Sequence, residues 1–124
     1  MKKGVLTGML ILLSAALFAQ SERKFVRKGN DSFESKNYTE SEIQYRKAVD
    51  EKPNYYDALY NIGDALYKQE KYQEAAKQFQ TMLGNEDVPR ETQSKAYHNL
   101  GNALLKSKKY KESIEAYKNA LKLN

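Results

Sequence analysis

Apolar residues return along this chain at helical spacing, in short stretches closed by glycine, proline or asparagine. Leu59, Ile62 and Leu66 fall on one helix face, and Ile43, Tyr45, Ala48 and Val49 carry apolar side chains toward another. That spacing predicts amphipathic helices rather than strands. A longer period lies over the helical one. Nine residues after Gly29, Gly63 and Gly101 come Tyr38, Tyr72 and Tyr110, and eleven after come Glu40, Glu74 and Glu112. Sixteen after come Tyr45, Phe79 and Tyr117, and nineteen after come Ala48, Met82 and Ala120. One unit is written three times, with the glycines 34 and then 38 residues apart. A unit this short cannot bury its own apolar face, so it must stack on its neighbours, and the stack leaves an open groove.

The punctuation gives the elements. A first helix runs over about 22–35 and turns at Lys36-Asn37, where asparagine tolerates the left-handed conformation of a helix end. Thr39 with Glu42 fits a capping box, so the second helix opens near there and stops before Pro53. The third spans about 55–69 and the fourth Tyr72–Leu83, with Gly84 as its C-terminal cap. The register then slips by four residues, held in 85–89. Pro89 suits a first helical turn, so the insertion predicts one extra turn at the start of a fifth helix over about 89–106, with a longer loop as the alternative. The last helix runs from Tyr110 to about Leu123.

The segments "ALYNIGDALYKQEKYQEAAKQFQTML" and "AYHNLGNALLKSKKYKESIEAYKNAL", and more weakly "KFVRKGNDSFESKNYTESEIQYRKAV", resemble the tetratricopeptide repeat family. In the weaker segment Lys28 replaces an apolar residue and Ser41 replaces an alanine. The resemblance implies an all-α right-handed superhelix of three helix-turn-helix hairpins over 22–124, with repeats at about 22–55, 56–93 and 94–124. It places Gly63 and Gly101 where paired helices cross closely. It lines a concave groove with the first helix of each hairpin: Arg23, Val26, Asn30, Phe33 and Glu34, then Asp57, Tyr60, Asp64, Tyr67 and Lys68, then Lys95, His98, Asn102, Leu105 and Lys106. Of these, Arg23, Asn30, Phe33, Tyr60, Asp64, Tyr67, Lys95, His98 and Asn102 are the candidate contacts for a protein or peptide partner. Tyrosines offer large contact area with few rotatable bonds. Some family members hold a peptide's terminal carboxylate with two asparagines and basic side chains. Asn30, Asn61 and Lys95 fall on three of those positions, whereas Val26 and Asn99 stand where basic residues belong. The last helix presents Ile114, Tyr117, Leu121 and Leu123 as an open face. Continuation of the array, a docked partner or pairing of two copies would each cover it.

Composition narrows the chemistry. The chain has 124 residues, 40% hydrophobic and 30% charged, which fits one domain with a modest core. It has no cysteine, so disulfides and thiolate metal sites are excluded. His98 is the only histidine and has no partner for a metal. No phosphate-binding glycine loop, ordered Ser/His/Asp set or H-E-x-x-H motif occurs, so neither an enzyme nor a cofactor is expected. The net charge of +5 is spread with mixed sign along the helices, which argues against nucleic acid. Lys106, Lys108, Lys109 and Lys111 cluster at the third interhelix turn, where cations favour a helix C-terminus.

The N-terminus has its own pattern. Lys2 and Lys3 precede an apolar run from Val5 to Phe18, and "AALFAQ" offers a cut after Ala19. Residues 1–19 therefore predict a secretory signal peptide, whose removal lowers the net charge to +3, with an uncleaved anchor over 4–21 as the alternative. A lysine-led signal of this length suggests a bacterial periplasm, or an inner-membrane tether if it is retained. With that leader, "RKGNDSFESKNYTESEIQYRKAV" and "YNIGDALYKQEKYQEAAKQF" are similar to the tetratricopeptide proteins of the Bacteroides aerotolerance operon. That resemblance implies a scaffold working beside membrane proteins with a von Willebrand factor A domain.

Overall fold

The computed structural model describes the backbone of residues 2–124 and the side chains of residues 9–13 and 21–124. Six helices follow one another among the described residues: α1 Lys2–Glu34, α2 Tyr38–Glu51, α3 Tyr56–Lys68, α4 Tyr72–Leu83, α5 Arg90–Lys106 and α6 Tyr110–Leu123. They pair as hairpins α1–α2, α3–α4 and α5–α6, and the hairpins stack through α2 on α3 and α4 on α5. A further contact between α3 and α5 closes the inner side.

One apolar interior runs through the stack. Tyr45 comes from the first hairpin, Ile62, Leu66, Phe79 and Met82 from the second, and Leu100, Leu104 and Ala116 from the third. Each large side chain buried in this way contributes about 1.5–3 kcal/mol. The repeated glycines permit the close crossing. A Cβ at Gly29 would sit 2.5 Å from Cε1 of Tyr45, and one at Gly101 would sit 2.6 Å from Cδ1 of Tyr117. At Gly63 it would meet the Phe79 ring. Serine at position 41, off pattern in the sequence, has a structural reason. Its Oγ donates to the Gly29 carbonyl at 2.9 Å, and Ser113 does the same to Gly101 at 2.8 Å. The middle hairpin has Ala75 there, fully buried.

The turns correct the sequence expectation. The residue with positive φ is Lys36, at 61°, and its counterparts Glu70 and Lys108 both stand at 63°. Backbone bonds from Asn37 N to Ser32 O (2.8 Å), Lys71 N to Leu66 O (3.0 Å) and Lys109 N to Leu104 O (2.9 Å) close the same helix-ending loop three times. Asn37 keeps φ at −91° and caps α2 instead, its side chain accepting from Glu40 N at 3.4 Å. The Thr39 hydroxyl leaves the cap and donates to Gln69 Oε1 at 3.4 Å. Gly84 ends α4 in right-handed conformation, with φ −69°, so its freedom is unused.

The four inserted residues lengthen a helix, as the sequence predicts. α5 has 17 residues where α3 has 13. Pro89 is the residue just before it, with φ −55°. The added turn brings Arg90 Nε to the Leu123 carbonyl at 3.0 Å and Nη2 to the Lys122 carbonyl at 3.4 Å. A guanidinium thus covers the negative end of α6.

At the other end, α1 does not begin near residue 22 but runs unbroken from Lys2. No proline interrupts it, and its residues from 9 to 28 include no glycine. Met9 to Leu13 are 62–73% exposed. The leader over 1–19 and the anchor over 4–21 fall mostly on residues whose side chains lie outside the described ones. Among the described residues, no helix is long and apolar enough to cross a membrane.

Candidate functional site

The inner faces of α1, α3 and α5 form a concave surface with three adjoining hollows. Phe33, Asp64, Tyr67, Lys68, Asn99 and Asn102 line a central one of about 330 Å³. Asn30, Phe33, Glu34, Tyr45, Asn61 and Asp64 line a second of about 300 Å³. Tyr60, Lys95, His98, Asn99, Tyr117 and Leu121 contribute to a third of about 500 Å³ toward α6. Helical spacing explains the set: Tyr60, Asp64 and Tyr67 follow at steps of four and three along α3, so all face one way.

The outer hairpins satisfy their groove amides internally. Tyr45 OH donates to Asn30 Oδ1 at 2.6 Å, and Tyr117 OH donates to Asn102 Oδ1. The middle hairpin changes both partners. Phe79 stands in the tyrosine position and Asp64 in the asparagine position. Without a phenol below it, Asp64 turns to the next hairpin. Asn99 Nδ2 donates to Asp64 Oδ1 at 2.7 Å and to Tyr60 OH at 2.7 Å. Asp64 Oδ2 makes no hydrogen bond among the described residues.

Burial sets the electrostatics here. It pushes the Asp64 carboxyl up to about 6, against the Asn99 hydrogen bond and the charges of Lys68 and Lys95. Burial and the Asp64 charge push the Tyr60 phenol up to about 12. Burial also raises Tyr45, with the Asp64 charge adding to it against a Ser41 hydrogen bond. Lys95 Nζ lies over the Tyr60 ring, 5.1 Å from its centroid.

Most of the expected contacts converge on these hollows: Asn30, Phe33, Tyr60, Asp64, Tyr67, Lys95, His98 and Asn102. Arg23 is exposed and lines none of the three. Val26 is turned into the core packing. The last helix splits as well. Tyr117 belongs to the groove, with the His98 ring tilted against it at 5.6 Å between centroids, because its ring fills the space beside Gly101. Ile114 and Leu121 are 55% and 71% exposed, and Leu123 is half-buried. Asn99, which the sequence placed only at a clamp position where a basic residue belongs, lines two of the hollows and was not among the candidate contacts. Its signal was register: it is 38 residues after Asn61, on the face that meets the preceding hairpin. With Val26 packed inward and the Asn99 amide bonded to Asp64, two positions of a carboxylate clamp hold no cation.

A tetratricopeptide repeat model matches residues 26–89, just over half of the chain, and a second one matches residues 94–124. The chain belongs to the tetratricopeptide repeat family. Its domains are protein–protein interaction modules and generally not enzymes. No curated protein sequence matches the chain. Among solved structures it is similar to the first tetratricopeptide domain of Spaghetti (RPAP3), bound to an HSP90 peptide SRMEEVD. That likeness has 24% identity and a TM-score of 0.75, covering 85% of this chain and 80% of that one. The Arabidopsis OM64 domain gives 20% identity and a TM-score of 0.78, over 86% and 85%. The TPR2AB domain of yeast Sti1 gives 22% and 0.79, over 86% of this chain and 42% of that one. These likenesses establish the fold, the right-handed superhelix of helical hairpins.

Proposed function

We propose that this protein is a scaffold that holds a peptide segment of a partner protein in its concave groove. The carrying observation is the convergence of Phe33, Tyr60, Asp64 and Tyr67 with Asn99 and Asn102 on adjoining hollows. Aromatic faces supply contact area, and the amides supply directional bonds to a peptide backbone. Spaghetti and Sti1 domains hold HSP90 peptides or HSP90 itself on the same fold. The apolar leader supports export to a bacterial envelope, with retention as an inner-membrane tether as the alternative. Its likeness to aerotolerance proteins supports a partner with a von Willebrand factor A domain.

A photo-crosslinking residue placed at Tyr67, with a second chain labelled at Ile114 as control, tests this in envelope fractions. Capture of an A-domain membrane protein through position 67 is the expected result. Capture only through position 114 would move the function to the last helix. N-terminal sequencing of the purified native protein tests export. A start at Gln20 is expected, and a start at Met1 would support the tether.

A second reading has its own observation. Ile114 and Leu121 are 55% and 71% exposed, whereas Ala76, the counterpart of Ile114 in α4, is 5% exposed under α5. Self-association through this face makes a homodimer. Sedimentation of the wild type and of Ile114→Lys/Leu121→Lys tests it, and a monomer at every concentration would remove it.

A further inference from the structure

The groove is not electrically uniform, and its centre is built around a carboxylate. Asp64 lines both the central hollow and its neighbour. One oxygen is held by Asn99 at 2.7 Å, which fixes the direction of the group. The other has no hydrogen-bond partner among the described residues. Among the described residues the only ion pairs are Arg46 with Glu42 and Lys52 with Glu22, so no cation neutralises Asp64 at ion-pair distance. Lys68 and Glu34 are exposed at the edges of the same hollows.

The surroundings of Asp64 suit a positive group. Phe33 and Tyr67 both flank the central hollow, and aromatic faces attract cations. The chain already places a cation on a groove ring nearby, since Lys95 Nζ stands 5.1 Å from the Tyr60 centroid. The outer amides complete the arrangement. Their tyrosine partners occupy Oδ1 of Asn30 and of Asn102, which leaves each Nδ2 free among the described residues to donate. Two donors therefore flank one acceptor.

We propose that the centre of the groove recognises a basic side chain, arginine or lysine, within an extended peptide, with its charge on Asp64 between Phe33 and Tyr67. The peptide's backbone carbonyls accept from Asn30 and Asn102. This inference rests on the groove being the binding surface. It points away from a terminal carboxylate, which Asp64 would repel.

The test uses three capped pentapeptides, acetyl-Ala-Ala-X-Ala-Ala-amide, with X as arginine, norleucine or glutamate. Each is titrated against labelled full-length protein while its amide and side-chain NMR signals are followed. The arginine peptide is expected to move the signals of Phe33, Asp64, Tyr67 and Asn99 and to bind about tenfold tighter than norleucine, the gain typical of a charge-assisted hydrogen bond. Asp64→Asn is expected to erase that preference while its melting temperature stays equal or rises. A tighter glutamate peptide, or an arginine preference that survives Asp64→Asn, would overturn the assignment and leave the groove reading standing. Signals moving only on the outer face of α6, or none moving at all, would overturn both.

Discussion

The first and third hairpins tie their groove amides to their own second helix, and the second hairpin does not tie its carboxylate in that way. Tyr45 with Asn30, and Tyr117 with Asn102, each join the two helices of one hairpin. Phe79 gives the middle hairpin the same packing without the hydroxyl, so Asp64 is left to bond α5 through Asn99. The lesson is that a missing hydroxyl at Phe79, together with an aspartate in the asparagine position, converts an internal bond into a bond between repeats and leaves an anionic acceptor in the groove. The ring maintains the fold, and the missing oxygen exposes the chemistry.

Substitutions sharpen this contrast, beginning with what all three hairpins share. Gly63→Leu sets a branched side chain against the fully buried Phe79 ring and is expected to destabilise by about 3 kcal/mol. An unchanged thermal melt would mean that the rings do not lie against the glycines. Asp64→Asn acts only on the middle hairpin. The folded carboxyl, pushed up to about 6, holds its proton more firmly than the unfolded one. Its contribution to stability is therefore complete below about pH 4 and is lost as the pH rises through about 6. The asparagine variant removes this loss and is expected to gain about 2 kcal/mol at neutral pH in denaturant unfolding. A variant no more stable at pH 7 than at pH 4, relative to wild type, would contradict the burial argument. Asn99→Ala removes the bridge between the second and third hairpins and should lose about 1–2 kcal/mol. Tyr117→Phe copies the middle hairpin in the third and should lose about 1 kcal/mol by the same measurement. Lys108→Gly relieves a left-handed residue and should gain up to about 1 kcal/mol.

The helices and their stacking were legible because glycine, ring and small residue recur at fixed offsets. The extra turn of α5 was legible from a register slip ending in proline. The turns were less so: a lysine or a glutamate gives no local sign of positive φ, and asparagine drew the assignment that belonged to Lys36. The helical continuity of α1 through residue 20 was not legible, because the composition changes there while nothing breaks a helix. The groove set was mostly legible from the family register. The role of Asn99 was not, because it depends on a partner 35 residues away and on what Phe79 lacks.

The most direct test of the account is chemical-shift mapping of the full chain with a peptide selected on it from a random display library. The account predicts shifts concentrated on Phe33, Asp64, Tyr67, Asn99 and Asn102, and loss of binding in Tyr67→Ala. Shifts confined to Ile114 and the outer face of α6 around it, with Tyr67→Ala binding normally, would contradict it.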